Sequence, residues 1–250
     1  MEQLYPVRRS VADPLSIYDD LQLPGEMEGR PFVAVNMVST VDGKITLNKK
    51  ERAEPIGSPV DRELMKRIRF HFDAVLRGAE TVRANPHFPG VPGPLADRRE
   101  HAGKSRQPLG VIVSGSLDLP FESPYFEAGP AVILTTASSD PEKRRLAGRY
   151  ARVEVAGEDA VDPRRALDIL YREYGVKRLL VEGGAALNYS FARSGALDLL
   201  FWTLAPKIGG FGEDLTMVSG PAVIRPLPRL ELESLYLHQD ELYFCWRFAR

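Results

Sequence analysis

Short apolar, β-branched runs alternate with segments of helical period along most of this 250-residue chain. That alternation restricts the fold more than any single residue does. Runs at 31–39, 73–78, 110–113, 131–134, 152–155, 177–181 and 197–204 have strand composition. Between them lie helix signals. Ser58-Pro59-Val60-Asp61 joins a capping serine, a proline at the first helical position and an early acid. Val60, Leu64 and Ile68 then share one face. Asp140 opens a short helix, Asp162-Pro163 opens a longer one that Gly175 closes, and Leu187, Phe191 and Ala192 mark another ending at Gly195. Runs at 230–237 and 241–248 flank a turn at Gln239-Asp240 and predict a hairpin. Residues 1–30 have no clear period and are expected to form an irregular arm with a short helix near 14–21. Residues 85–108, rich in Pro, Gly and charge, are expected to form a long surface loop. The pattern predicts an α/β fold: a mostly parallel, doubly wound sheet with an antiparallel C-terminal hairpin, spanning residues 31–250 without a composition break.

Composition removes several function classes. Net charge is −1, so no global basic field invites nucleic acid. The one cysteine, Cys245, excludes an internal disulfide and a cysteine-cluster zinc site. The four histidines are scattered, and no metal ligand set is expected. No apolar run has the length of a membrane span and the first residues lack a signal-peptide pattern, so a cytoplasmic location and no membrane partner are expected. Nucleophile elbow, Walker loop and G-x-G-x-x-G fingerprint are all absent.

Parallel sheets bind ligands at the carboxyl ends of their strands. The residues there are Asp42 and Lys44, Gly78 to Thr81, Ser114 to Ser116, Thr135-Thr136, and Glu182 to Leu187. In the last of these, a strand meets Gly183-Gly184 and then a helix start at Ala185, Ala186 and Leu187. Glycines let a ligand approach the backbone, and a helix start offers unpaired N–H groups, so the stretch suits a pyrophosphate. It is equally a plain strand-to-helix turn with a solvent-facing Glu. The hydroxyls, the glycine turn, one Lys and two carboxylates are compatible with a nicotinamide cofactor and hydride transfer.

Five blocks in order carry a more specific resemblance. They are Thr40-Val41-Asp42-Gly43-Lys44-Ile45; Arg69 through Asp73-Ala74-Val75-Leu76; Gly78-Ala79-Glu80-Thr81-Val82-Arg83; Val181-Glu182-Gly183-Gly184 through Leu187-Asn188; and Gly195-Ala196-Leu197-Asp198 with Ala205-Pro206-Lys207 and Gly209-Gly210. With these the chain resembles the pyrimidine reductases of riboflavin biosynthesis, in the dihydrofolate-reductase-like superfamily. The resemblance implies that NADPH gives a hydride to C1′ of the ribose of a phosphoribosylamino-pyrimidine, forming the ribityl chain. It implies cofactor contacts at Gly78, Thr81, Ser114, Ser116, Gly183, Gly184, Ala185, Ala186 and Leu187. It implies Lys44 and Glu182 at the reacting centre, and substrate contacts from Asp42, Arg69, Asn85 and Phe88, with Arg69 toward the 5′-phosphate. A homodimer is implied as well. A zinc deaminase half is not expected, since neither H-x-E nor P-C-x-x-C occurs.

The chain departs from the family after Thr81-Val82. The run Arg83-Ala84-Asn85-Pro86-His87-Phe88-Pro89 is one residue short, Asn85 stands for an acid, and the second arginine is missing. The expected substitute at the phosphate is Arg98, Arg99 or Lys104, or else the substrate carries no phosphate. Another NADPH-dependent reductase, acting on a different pteridine- or pyrimidine-like compound, and a catalytically silent nucleotide-binding protein are the competing readings.

Overall fold

Strand–helix alternation is realised in the three-dimensional structure, a computed structural model that describes residues 1–46, 55–210 and 216–249. In chain order the elements are β1 (Glu2–Tyr5), β2 (Arg9–Ser10), a 3-10 turn (Pro14–Tyr18), β3 (Phe32–Ser39), α1 (Pro59–Phe70), β4 (Ala74–Gly78), α2 (Ala79–Ala84), α3 (Gly93–His101) and β5 (Leu109–Val113). Then follow α4 (Pro124–Glu127), β6 (Ala131–Thr135), α5 (Pro141–Ala147), β7 (Arg152–Val155), α6 (Pro163–Tyr174), β8 (Arg178–Val181), α7 (Ala185–Arg193), β9 (Leu199–Leu204), β10 (Leu230–His238) and β11 (Glu241–Phe248). Gly209-Gly210 of the last block are described; Phe211 and Gly212, which follow them, lie outside the described residues.

The chain forms two compact units that alternate in sequence, which is why no composition shift marks their boundaries. The first holds Met1–Gln22, Ala34–Ile68 and Ala185–Arg250; the second holds Leu23–Val33 and Arg69–Gly184.

In the first unit β3 pairs parallel with β9, and β9, β11, β10 and β1 then run antiparallel to one another in turn. The hairpin turns at Gln239 and Asp240, both at positive φ (50° and 65°), a twist that matches the right-handed twist of its strands. Tyr18, Leu64, Ile68, Phe201, Tyr243 and Cys245 are buried, with Tyr18 edge-on to Phe201 at 5.2 Å. Helix α1 starts as its sequence predicts, with Ser58 Oγ accepting from the Asp61 amide at 3.1 Å. The expected irregular arm instead supplies β1 and β2, because β1 finds an edge on β10 that its own sequence does not announce.

In the second unit β8, β4, β5, β6 and β7 form a parallel array buried through Val75, Leu76, Val111, Ile112, Ile133, Leu134, Leu180 and Val181. Asp140 and Asp162 cap α5 and α6, and Gly175 closes α6 at φ 64°. The stretch 85–108 is not a plain loop: it contains α3. This helix lacks an apolar stripe because its buried residues are Ala96 and the fully buried Arg99, so periodicity has nothing to detect.

Candidate active site

Within the first unit, the chain leaving β3 makes a tight turn. Thr40 donates its hydroxyl to Asp42 Oδ1 at 2.6 Å and accepts the Lys44 amide on the same oxygen at 2.9 Å. The Thr40 amide returns a bond to the Lys44 carbonyl at 2.9 Å. Asp42 also accepts the amides of Gly209 and Gly210, at 3.0 and 2.7 Å. The Thr40 hydroxyl, then these two amides, hold the Asp42 carboxyl well below the usual carboxylate range. Both Asp42 oxygens are thus committed to the protein. The structure ties Asp42, expected at the substrate, to the turn that presents Lys44. Helix α7 begins at Ala185, which is buried, followed by exposed Ala186 and half-buried Leu187. Its start is held by the Ser219 amide on the Ala185 carbonyl at 3.2 Å and by Asn188 donating to the Met217 carbonyl at 2.9 Å.

Within the second unit, the ends of β4 and β8 meet. Glu182 donates its amide to the Leu76 carbonyl at 2.9 Å, and Gly78 donates to the Gly183 carbonyl at 2.8 Å. A Cβ on Gly184 would meet only the Thr81 hydroxyl, at 3.4 Å. The side of this glycine is therefore bordered by Thr81 and otherwise open within 4 Å, and a side chain there would fill that space. Ser114 is buried and accepts the Leu117 amide at 3.0 Å, so it shapes the turn after β5; Ser116 is exposed beside it.

Glu182 lies beneath. Its side chain is 6% exposed. Arg69 grips it with two nitrogens, Nε to Oε1 at 2.6 Å and Nη2 to Oε2 at 2.8 Å. Arg77 adds Nε and Nη2 to Oε2 at 3.0 and 2.7 Å. Burial pushes the carboxyl pKa up, but the two guanidiniums outweigh burial and bring it down to about 2. Glu182, expected at the reacting centre, is thus an ionised counter-charge between two guanidiniums at neutral pH. Arg69, expected to reach out toward a phosphate, is 5% exposed and turned onto Glu182 and the Gly90 carbonyl.

Two further expectations change. Phe88 was assigned to substrate, yet its ring packs into the core around Val82, Ile112 and Tyr125, edge-on to Tyr125 at 5.7 Å. It fills space over Gly110 and Gly129, where a Cβ would come within 2.8 and 2.4 Å of the ring. Arg99, a candidate phosphate ligand, is fully buried and donates to the carbonyls of Phe70 and Phe72. Asn85 is exposed and ends α2. Arg77 escaped the sequence reading. Its signal was present: one charge inside the apolar strand Ala74-Val75-Leu76-Arg77-Gly78 must be paired if the strand is buried.

A parallel array in one unit and an antiparallel hairpin in the other define an α/β protein of mostly parallel sheet. The model of the RibD C-terminal domain family matches residues 31–243, and the chain belongs to that family. It is 30% identical to the 2,5-diamino-6-ribosylamino-4(3H)-pyrimidinone 5′-phosphate reductase of Aquifex aeolicus, over 87% of this chain and 96% of that protein. It is 31% identical to the protein of the same name from Methanothermobacter thermautotrophicus, over 85% and 96%. Among solved structures, a pyrimidine reductase-like protein of Corynebacterium diphtheriae superposes with a TM-score of 0.78 at 22% identity, over 95% of this chain and 99% of that one. RibD of Acinetobacter baumannii superposes with 0.72 at 20% identity, over 89% and 59%. At these identities the structural likeness is one of fold. Among the described residues no helix is long and apolar enough to cross a membrane.

Proposed function

We propose that this chain is an NADPH-dependent reductase that delivers a hydride to ribose C1′ of a phosphoribosylamino-pyrimidine, giving the ribitylamino product. The reading is carried by similarity along nearly the full length of proteins named as reductases of such a compound. The open space over Gly184 supports it locally. When bound, the cofactor supplies the hydride. Gly78, Thr81, Gly183, Gly184 and the α7 start at Ala185, Ala186 and Leu187 hold its phosphates in this reading, and the turn of Ser114 and Ser116 carries its adenosine end. Lys44 serves the reacting ribose, with Asp42 fixing its turn and Asn85 at the substrate. The protein works as a cytoplasmic homodimer. Support for a second copy is the half-buried ladder of Trp202, Phe244 and Trp246, stacked at 5.1 and 5.7 Å between rings.

A second reading, reduction of an unphosphorylated pyrimidine or pteridine, is favoured by one observation: Arg69, the expected phosphate ligand, is engaged by Glu182. NADPH oxidation with the phosphoribosylamino-pyrimidine, its dephosphorylated form and a pteridine panel separates the two. Preference for the phosphorylated compound is expected; equal or better turnover of another compound establishes the second reading.

A further inference from the structure

We propose that Arg77 is a positioning residue: with Glu182 and Arg69 it clamps the segment 87–90 and so fixes the chain that follows Asn85, the residue placed at the substrate. The proposal rests on the reading above only in placing Asn85 at the substrate. The clamp itself stands on geometry within the second unit. Arg77 divides its guanidinium between two tasks. Nε and Nη2 hold Glu182, while Nη1 donates to the His87 carbonyl at 3.1 Å. Arg69 does the same from the other side, holding Glu182 with Nε and Nη2 and the Gly90 carbonyl with Nη1 at 3.2 Å. One carboxylate therefore aligns two planar forks, and each fork ends on a carbonyl of the same short segment.

Three other contacts complete the frame. Gln107 pairs with Val91 in both directions, accepting its amide at 2.8 Å and donating to its carbonyl at 2.9 Å. The Phe88 ring is seated in the core against Tyr125. Arg99 holds the carbonyls at the end of α1, Arg69's own among them at 3.3 Å. The segment so fixed belongs to the stretch where the chain departs from the family pattern and is one residue short. Arg77 uses three nitrogens in one plane, two on Glu182 and one on the His87 carbonyl; a lysine ammonium has its donors on a single nitrogen at the end of a flexible stem and does not hold that fixed spacing.

That difference provides the test. Arg77→Lys keeps the charge beside Glu182 but loses the fixed three-nitrogen grip on Glu182 and the His87 carbonyl, and Arg77→Met removes both functions. Exchange of the Val91 amide reports opening of the segment without reference to activity. A charged hydrogen bond is worth roughly tenfold or more in such an equilibrium. For Arg77→Lys the expected result is a melting temperature near wild type, Val91 exchange faster by about tenfold, and a KM for the pyrimidine raised by about tenfold with NADPH affinity within twofold. Wild-type exchange at Val91 in Arg77→Lys overturns the clamp. So does an exchange increase spread evenly over the whole second unit, which marks a merely structural charge. If the wild type turns over no pyrimidine, the functional reading fails, and the exchange measurement still decides the clamp.

Discussion

Arg99 donates from one guanidinium nitrogen to the Phe72 carbonyl at 2.7 Å, and the same nitrogen reaches the Phe70 carbonyl at 2.8 Å. Its Nε donates to the Ser105 carbonyl at 2.8 Å. A fully buried guanidinium thus satisfies the carbonyls at the end of α1, which have no partner inside the helix. Burial, opposed by Asp73, pulls its pKa down from the ordinary arginine value. Arg99→Met strands those carbonyls away from water. Urea unfolding is expected to show a loss of about 3 kcal/mol or more, since each buried unsatisfied group is worth about 1–3 kcal/mol. The neighbouring Arg98→Met is expected to change stability little, because Arg98 lies on the exposed side.

Thr40 links Asp42 to Lys44 through one hydroxyl. If Lys44 serves the reacting ribose, its position depends on that oxygen. Thr40→Val and Asp42→Ala are each expected to lower kcat by roughly 10- to 100-fold, the usual effect of small misplacement. Thr40→Ser keeps the oxygen and is expected to stay near wild type. Steady-state kinetics on the three variants, with NADPH binding by fluorescence, provide the check.

Glu182 has a folded-state pKa of about 2 against an ordinary 4.5. A depressed carboxyl contributes stability that is present above the unfolded value and lost as pH falls toward the folded one. The contribution is therefore constant from neutral pH down to pH ~4.5 and declines below it. Glu182→Gln leaves two buried guanidiniums without their counter-charge, a loss of about 3–5 kcal/mol. The shape of the kcat profile between pH 5 and 9 is expected to match wild type. Loss of a limb near pH 6–7 in this variant would make Glu182 a proton donor.

Asp61 behaves in the opposite sense. Burial raises its carboxyl to about 6 from 3.8; the Thr203 hydroxyl and Arg62 oppose the rise and Glu241 adds to it. Glu241 is itself buried, accepting from Ser58 and Tyr243. A raised folded-state value means that the folded form holds the proton more tightly between those limits. Stability is full below pH ~4 and is lost as pH rises through 6. Asp61→Asn is expected to stabilise the protein above pH 6 by up to about 3 kcal/mol, and to change little at pH 4. Urea titrations at pH 4 and 7.5 measure the difference directly.

From β3 onward most element types and their order were legible from the chain alone, because hydrophobic period, capping serine and aspartates, Pro163 and Gly175 act locally. So were the family blocks, which are contiguous in sequence. What each charged side chain faces was decided only in three dimensions. Arg69, Arg77 and Glu182 are far apart in the chain and meet because β4 and β8 pair in parallel; nothing local separates an arginine that reaches outward from one that holds a buried carboxylate. Helix α3 stayed hidden for the same reason: its anchor is Arg99, a residue type read as exposed, whose burial is tolerable only because carbonyls from another segment surround it.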